Sequence, residues 1–183
     1  MSKTQVVTGV SRLSYASIWE PKETPSGQMK YSVCVLIPKK DKQTIKAIEA
    51  AIEAAYQDGL VKKWAGKKAG VKMDVLRDGD EENEDGELKG PEFRGMYYIN
   101  ASGMKAPIVL DRERNPVLDK TEVYSGCWAN VAINFYPYAV DGAKGIAAGL
   151  NAIRKVKDDE SLGGELTVDA ARSAFDELEE DDI

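Results

Sequence analysis

The chain has 183 residues, 43% of them hydrophobic, enough to bury a core in one domain with an appendage and to exclude wholesale disorder. It contains no histidine and only two cysteines, which removes Ser–His–Asp and Cys–His catalysis and any four-ligand zinc site built from cysteine and histidine. The formal charge of −6 is segregated: residues 158–183 carry eleven acids against Arg172 alone, seven more acids crowd residues 78–87, and the remainder is basic. That asymmetry points to polyanion binding with an acidic interaction tail.

Taken in chain order, residues 6–19 read as a long strand, rich in Val6, Val7, Val10, Tyr15, Ile18 and Trp19 and ended by Pro21 and a Thr-Pro-Ser-Gly cluster. Residues 30–37 form a second strand, closed by Pro38. Asp41 caps a helix that is expected to run to about Asp58 and stop at Gly59, with Ile45, Ile48, Ile52 and Ala55 on one stripe. A lysine-rich segment with Leu60 and Trp64 follows, then a solvated acidic loop at residues 78–91. Strands resume at residues 95–101, 128–138 and 144–156. Two strands, a helix and three more strands suit a small antiparallel barrel better than a parallel α/β sheet. The expected architecture is therefore mainly β: an OB-fold-like antiparallel five-stranded barrel over residues 1–157, with one amphipathic helix, and a disordered acidic tail over residues 158–183. Within that tail, residues 167–178 could turn helical when a partner receives them, Ala171, Phe175 and Leu178 falling on one side.

Residues 128–138 carry the most chemistry. Val131, Ile133 and Phe135 share one parity and belong in the core; Trp128, Asn130, Ala132, Asn134, Tyr136 and Tyr138 share the other face. Rings interleaved with amides on a sheet face suit stacking on unpaired bases, each stack worth about 1–3 kcal/mol with little base preference. The alternatives for the same face are that these aromatics cap the barrel or form a subunit contact, which leaves a homodimer open. Residues 94–100 offer a weaker version of the pattern, with Arg94, Met96, Tyr98 and Asn100 on one parity, Tyr97 and Ile99 on the other, and no sign in the sequence of which face is wet. Lys144, Arg154, Lys155 and Lys157 flank the last strand, where they could track phosphates or form an ordinary solvated rim. Cys34 and Cys127 are expected as buried free thiols.

Other chemistries fare less well. Glu81, Asn83, Asp85, Gly86 and Glu92 have the spacing of an EF-hand loop, but Glu81 stands at the first ligand position and Pro91 where a helix should begin. A metal-dependent nuclease using the acidic-loop carboxylates, with Asp111, Glu113 and Asp119, is the alternative enzyme reading; no metal or cofactor is otherwise expected. No phosphate-cradling glycine loop is present. No apolar run reaches membrane-spanning length, and the opening MSKTQVV lacks the basic-then-apolar pattern of a leader, so no membrane association and a cytoplasmic location are expected.

The segments YASIWEPKE, KYSVCVLIPKKD, LRDGDEE, PEFRGMYYINAS, VYSGCWANVAINFYPY and KGIAAGLNAIRKVKDDESLGG, in that order, resemble a family of tailed-phage single-stranded DNA-binding proteins long catalogued as a domain of unknown function. The resemblance implies an OB-fold that coats and protects exposed strands during phage DNA replication or recombination, in the host cytoplasm, with no catalytic activity of its own. It also implies an acidic tail that competes with DNA and recruits replication or recombination proteins; Phe175, Asp176, Glu177, Glu179, Glu180, Asp181 and Asp182 are the expected partner-binding residues. The tail ends Glu180-Asp181-Asp182-Ile183, whereas the best-known bacterial tails end on an aromatic residue.

Overall fold

The computed structural model describes residues 2–163 and 168–176. Its nine strands are β1 (Gln5–Val7), β2 (Ser11–Glu23), β3 (Met29–Pro38), β4 (Val71–Lys72), β5 (Arg77–Asp78), β6 (Met96–Gly103), β7 (Ile108–Leu110), β8 (Trp128–Val140) and β9 (Ala143–Lys157). The helices are α1 (Lys42–Lys62) and α2 (Val168–Asp176).

Five of the strands close on themselves. β8 pairs with β2, β2 with β3, β3 with β6, β6 with β9, and β9 returns to β8. All these pairings are antiparallel except β6–β9, where Ala101 faces Ala148 in parallel. The mainly β, OB-like reading holds. It is corrected in one respect, because the short strands β4 and β7 also join β9 in parallel. A return strand that closes a ring beside β6 runs in β6's direction, so one parallel seam is geometrically required.

The interior follows from strand alternation. Val131, Ile133 and Phe135 of β8 point inward and are buried, as are Val33, Val35 and Ile37 of β3. The two cysteines are buried and unbridged; burial pushes the Cys34 thiol up to about 12 and raises that of Cys127 as well. α1 packs its Ile48, Ala51, Ile52 and Ala55 face into the same core, each large side chain contributing about 1.5–3 kcal/mol of burial.

Asp41 caps α1 as expected, its carboxylate accepting from the Thr44 amide at 3.2 Å. Gly59 does not end the helix, which continues to Lys62. A Cβ on Gly59 would sit 2.4 Å from the Trp64 ring and 2.7 Å from the Pro137 side chain, so this glycine makes room for close packing. The buried Trp64 donates its indole N–H to the Tyr138 carbonyl at 3.0 Å, pinning the chain after α1 to β8.

The first strand also differs from expectation. It divides at residues 8–10, where Thr8 turns inward and its hydroxyl accepts from the Val131 amide. β2 then runs through Pro21 to Glu23. Its pairing with β3 is irregular between Ser17 and Lys22, where a residue without an N–H is tolerated.

Candidate nucleic-acid interface

Near the Trp128 end of β8 the molecule opens into a groove of about 1340 Å³, walled by the bulged middle of β2, the 111–125 connection, the end of β9 and the segment that follows it. Two rings that line it are each matched to a lining cation, Trp19 with Lys120 (5.9 Å) and Tyr124 with Lys155 (5.7 Å). Trp128 does not line the groove but adjoins it, matched to the lining Lys157 (5.2 Å) and to Arg12 (6.0 Å). The indole of Trp19 donates to the Val123 carbonyl, which fixes its ring at the groove wall. Glu92, Asp111, Glu113 and Glu122 also line the groove, so the wall is mixed in charge.

The segment after β9 lies on these same groups. The Trp128 indole donates to Asp159 Oδ2 at 2.8 Å, and the single Tyr124 hydroxyl proton is shared between two acceptors, Asp158 Oδ1 at 3.0 Å and the Asp159 carbonyl at 2.8 Å. Lys155 pairs with Asp158 at 2.7 Å. Arg12 reaches the Glu160 carbonyl at 2.8 Å and Asp159 at 3.8 Å. The Leu162 amide donates to the Ser125 carbonyl. Gly126 has φ +119°, and a Cβ there would fall 2.2 Å from the Glu160 carbonyl oxygen, so the backbone of this strap crosses over a bare glycine.

The contacts leave an electrostatic signature. Lys155 holds the Asp158 carboxyl below its ordinary range, and the Trp128 hydrogen bond does the same for Asp159. Burial, reinforced by neighbouring Asp158, pushes the Tyr124 phenol up to about 12.

Of the residues expected at the interface, Trp128, Asn130, Arg154, Lys155 and Lys157 come together at this end. Two are already engaged. Asn130 donates to the Thr8 carbonyl and accepts from Arg154, while Arg154 also holds the Arg112 carbonyl at 2.9 Å and so anchors the groove wall. Asn134 and Tyr136 lie farther along β8 in a smaller depression of about 290 Å³ with Lys30, Lys105 and Asn151. Tyr136 is 38% exposed, and Asn134 accepts from the Thr4 hydroxyl. Tyr138 and Lys144 sit near the far end, Lys144 donating to the Ala69 carbonyl.

Arg94 and Tyr98 require correction. Tyr98 is only 6% exposed and packs edge-on against Phe93 in a small core with Cys34 and Leu36. Arg94 donates to the Gly79 and Lys89 carbonyls and pairs with Asp80. Both secure the base of the acidic loop: Arg94 from the turn that precedes β6, Tyr98 from the β6 position opposite Arg77 of β5, with Lys89 over its ring. Lys39 completes the anchor, bridging Asp78 at 2.6 Å and Asp80 at 2.7 Å.

Sequence reasoning missed Tyr15, Trp19, Lys120 and Tyr124, which line the groove, and Arg12, which lies beside it against Trp128 and the strap. The signal for Arg12 is register alone, since it stands opposite Trp128 across the β2–β8 pair. In the tail, Phe175 and Asp176 fall on α2 with exposed side chains, whereas Glu177, Leu178, Glu179, Glu180, Asp181 and Asp182 lie outside the described residues. Among the described residues no group of three or more His, Cys, Asp or Glu side chains is placed to hold a metal ion. Asp111 and Asp119 instead accept from nearby backbone amides in their own turns. No helix among the described residues is long and apolar enough to cross a membrane.

A five-strand ring closed by one parallel seam, with a ring-and-cation groove at its mouth, places the molecule in the class of OB-like nucleic-acid-binding folds. The chain belongs to the family of the ssDNA-binding protein of Enterobacter phage Enc34, whose family model matches residues 4–183. It is 30% identical over 164 residues to putative protein p50 of Acyrthosiphon pisum secondary endosymbiont phage 1, covering 84% of this chain and 83% of that protein. The solved structure of the bacteriophage Enc34 single-stranded DNA-binding protein in complex with ssDNA matches with a TM-score of 0.75 at 29% identity, over 88% of this chain and 91% of that one. The T7 protein gp2.5, a single-stranded DNA binding protein, shares the fold at TM-score 0.57 and 16% identity, over 91% and 99% of the two chains.

Proposed function

We propose that this protein binds single-stranded DNA with little sequence preference, coating strands exposed during phage DNA replication or recombination, and that its acidic tail competes with DNA for the groove. The observation that carries the reading is the set of three rings, each beside a lysine or arginine, of which Trp19 and Tyr124 line the groove and Trp128 adjoins it. Rings stack on bases of any identity while neighbouring cations meet phosphates, so affinity arises without base-edge readout. Trp128, Lys155 and Lys157 are the core of this site, with Asn130 and Arg154 as its frame. Tyr136, Tyr138, Asn134 and Lys144 extend it along β8 and β9.

The tail reading is supported by residues 158–163, which occupy the indole, phenol and cations a nucleotide would use. Bound DNA would displace them, freeing the tail, Phe175 and Asp176 included, for replication or recombination partners.

The test is fluorescence anisotropy with labelled oligothymidylate, competed by unlabelled single-stranded DNA, duplex DNA and RNA, on the full chain and on one lacking residues 158–183. Preferential competition by single-stranded DNA, and tighter but less selective binding after truncation, are expected. Equal competition by duplex would refute the single-strand assignment, and unchanged affinity and selectivity after truncation would refute the competitor role.

A further inference from the structure

The bulge in β2 carries a residue whose conformation the fold alone does not explain. On β2, Ser14 stands opposite Cys34 and Ser17 opposite Ser32, so Tyr15 and Ala16 together face the single residue Val33. This extra residue is what lets Leu13 and Ile18, of opposite parity, both reach the core. Tyr15 takes the left-handed conformation, with φ +47°. That position in such a bulge is ordinarily glycine, and a bulky side chain there is an outlier.

The backbone on both sides is clamped. The Gly126 amide donates to the Leu13 carbonyl at 2.7 Å, the Leu13 amide to the Cys127 carbonyl at 3.0 Å, and the Ala16 amide to Ser125 Oγ at 2.9 Å. The chain is therefore held in a shape that a glycine would adopt more easily, yet it presents an aromatic ring. That ring contributes little to the core, being 72% exposed. It lines the groove that Trp19 and Tyr124 also line. Strain maintained by surrounding bonds and aimed into a cleft marks a side chain positioned for a ligand.

We propose that Tyr15 is a base-stacking platform for single-stranded nucleic acid at the groove, re-aimed there by the bulge. The proposal rests on the groove being the nucleic-acid site and adds a fourth ring to it. Unlike Trp19, Tyr124 and Trp128, Tyr15 is neither matched to a cation nor held by a described strap contact. It is thus open to a base before the strap is displaced, and suited to make the first contact.

The experiment compares Tyr15→Gly, Tyr15→Phe, Tyr15→Leu and Trp128→Ala in the full chain, by anisotropy on labelled oligothymidylate and by thermal unfolding. Tyr15→Gly should leave the melting temperature unchanged or raise it, while weakening binding by about 5- to 150-fold, the loss of one stacked base. Tyr15→Phe should bind as the parent does, and Tyr15→Leu should bind weakly. A lowered melting temperature for Tyr15→Gly would show that the ring serves the fold, and would overturn the proposal. Unaltered binding in Tyr15→Gly alongside weakened binding in Trp128→Ala would overturn it while leaving the groove intact. Unaltered binding in both would remove the groove reading, and Tyr15's role with it.

Discussion

Replacing Asp158 and Asp159 together by asparagine should loosen the strap and tighten DNA binding. Each asparagine keeps a carbonyl oxygen for the Tyr124 hydroxyl and the Trp128 indole, now at 3.0 and 2.8 Å from their carboxylates. What disappears is charge: the 2.7 Å pair with Lys155, the 3.8 Å pair with Arg12, and the charge assistance to two hydrogen bonds. Asp158 is largely exposed, so each ion pair is discounted to roughly 0.2–1 kcal/mol. Losing charge assistance weakens a hydrogen bond by about half, or roughly 0.5–1 kcal/mol each. After screening, about 1–2 kcal/mol of strap attachment is lost, equivalent to roughly 5- to 30-fold tighter oligothymidylate binding. The assay is anisotropy at low and moderate salt, with Glu49→Gln/Glu53→Gln on the exposed face of α1 as a control of equal charge change. Equal tightening in that control, or none in the strap variant, would refute direct competition.

Other consequences are open to the same equipment. Arg12, Lys120, Lys155 and Lys157 together should give a log–log salt slope near −3, and Lys157→Ala should reduce it by about 0.7, measured by titration from low to moderate salt. Asp158 and Asp159 have folded carboxyl values lowered from 3.8. Their contribution is therefore complete above that value and lost as pH falls through the lowered ones. Exchange of the Leu162 amide, after correction for intrinsic rate, should accelerate on acidification below about pH 4; unchanged protection would contradict the strap's dependence on these acids. Gly126→Ala should expel the strap, because its Cβ meets the Glu160 carbonyl. Tighter DNA binding with a lowered melting temperature is expected, and unchanged Leu162 exchange would contradict it.

Much of the architecture was legible where one side of an element is buried. Val131, Ile133 and Phe135 announced which face of β8 is wet, and the Ile48, Ile52, Ala55 stripe announced α1. Punctuation was less dependable. Pro21 interrupts nothing because it stands in an irregular stretch of ladder, and Gly59 sits inside a helix because Trp64 and Pro137 pack against it. β6 failed for a different reason: both of its parities carry aromatics, and only tertiary packing shows that Tyr98 belongs beneath the acidic loop. The groove was half legible. Trp128, Lys155 and Lys157 stood out in two successive segments, but their counterparts Arg12 and Trp19 lie more than a hundred residues away, brought in by ring closure. Nothing in local sequence marks Tyr15 as bulged, since the extra residue appears only when β2 is set in register with β3.

Where a bound strand touches the surface can be read by ultraviolet crosslinking of oligothymidylate to the full chain, followed by peptide mapping. Adducts at Trp19, Tyr124 and Trp128 are the predicted result. Adducts confined to the surface around Lys39 and Tyr97, with none at those three rings, would contradict the account.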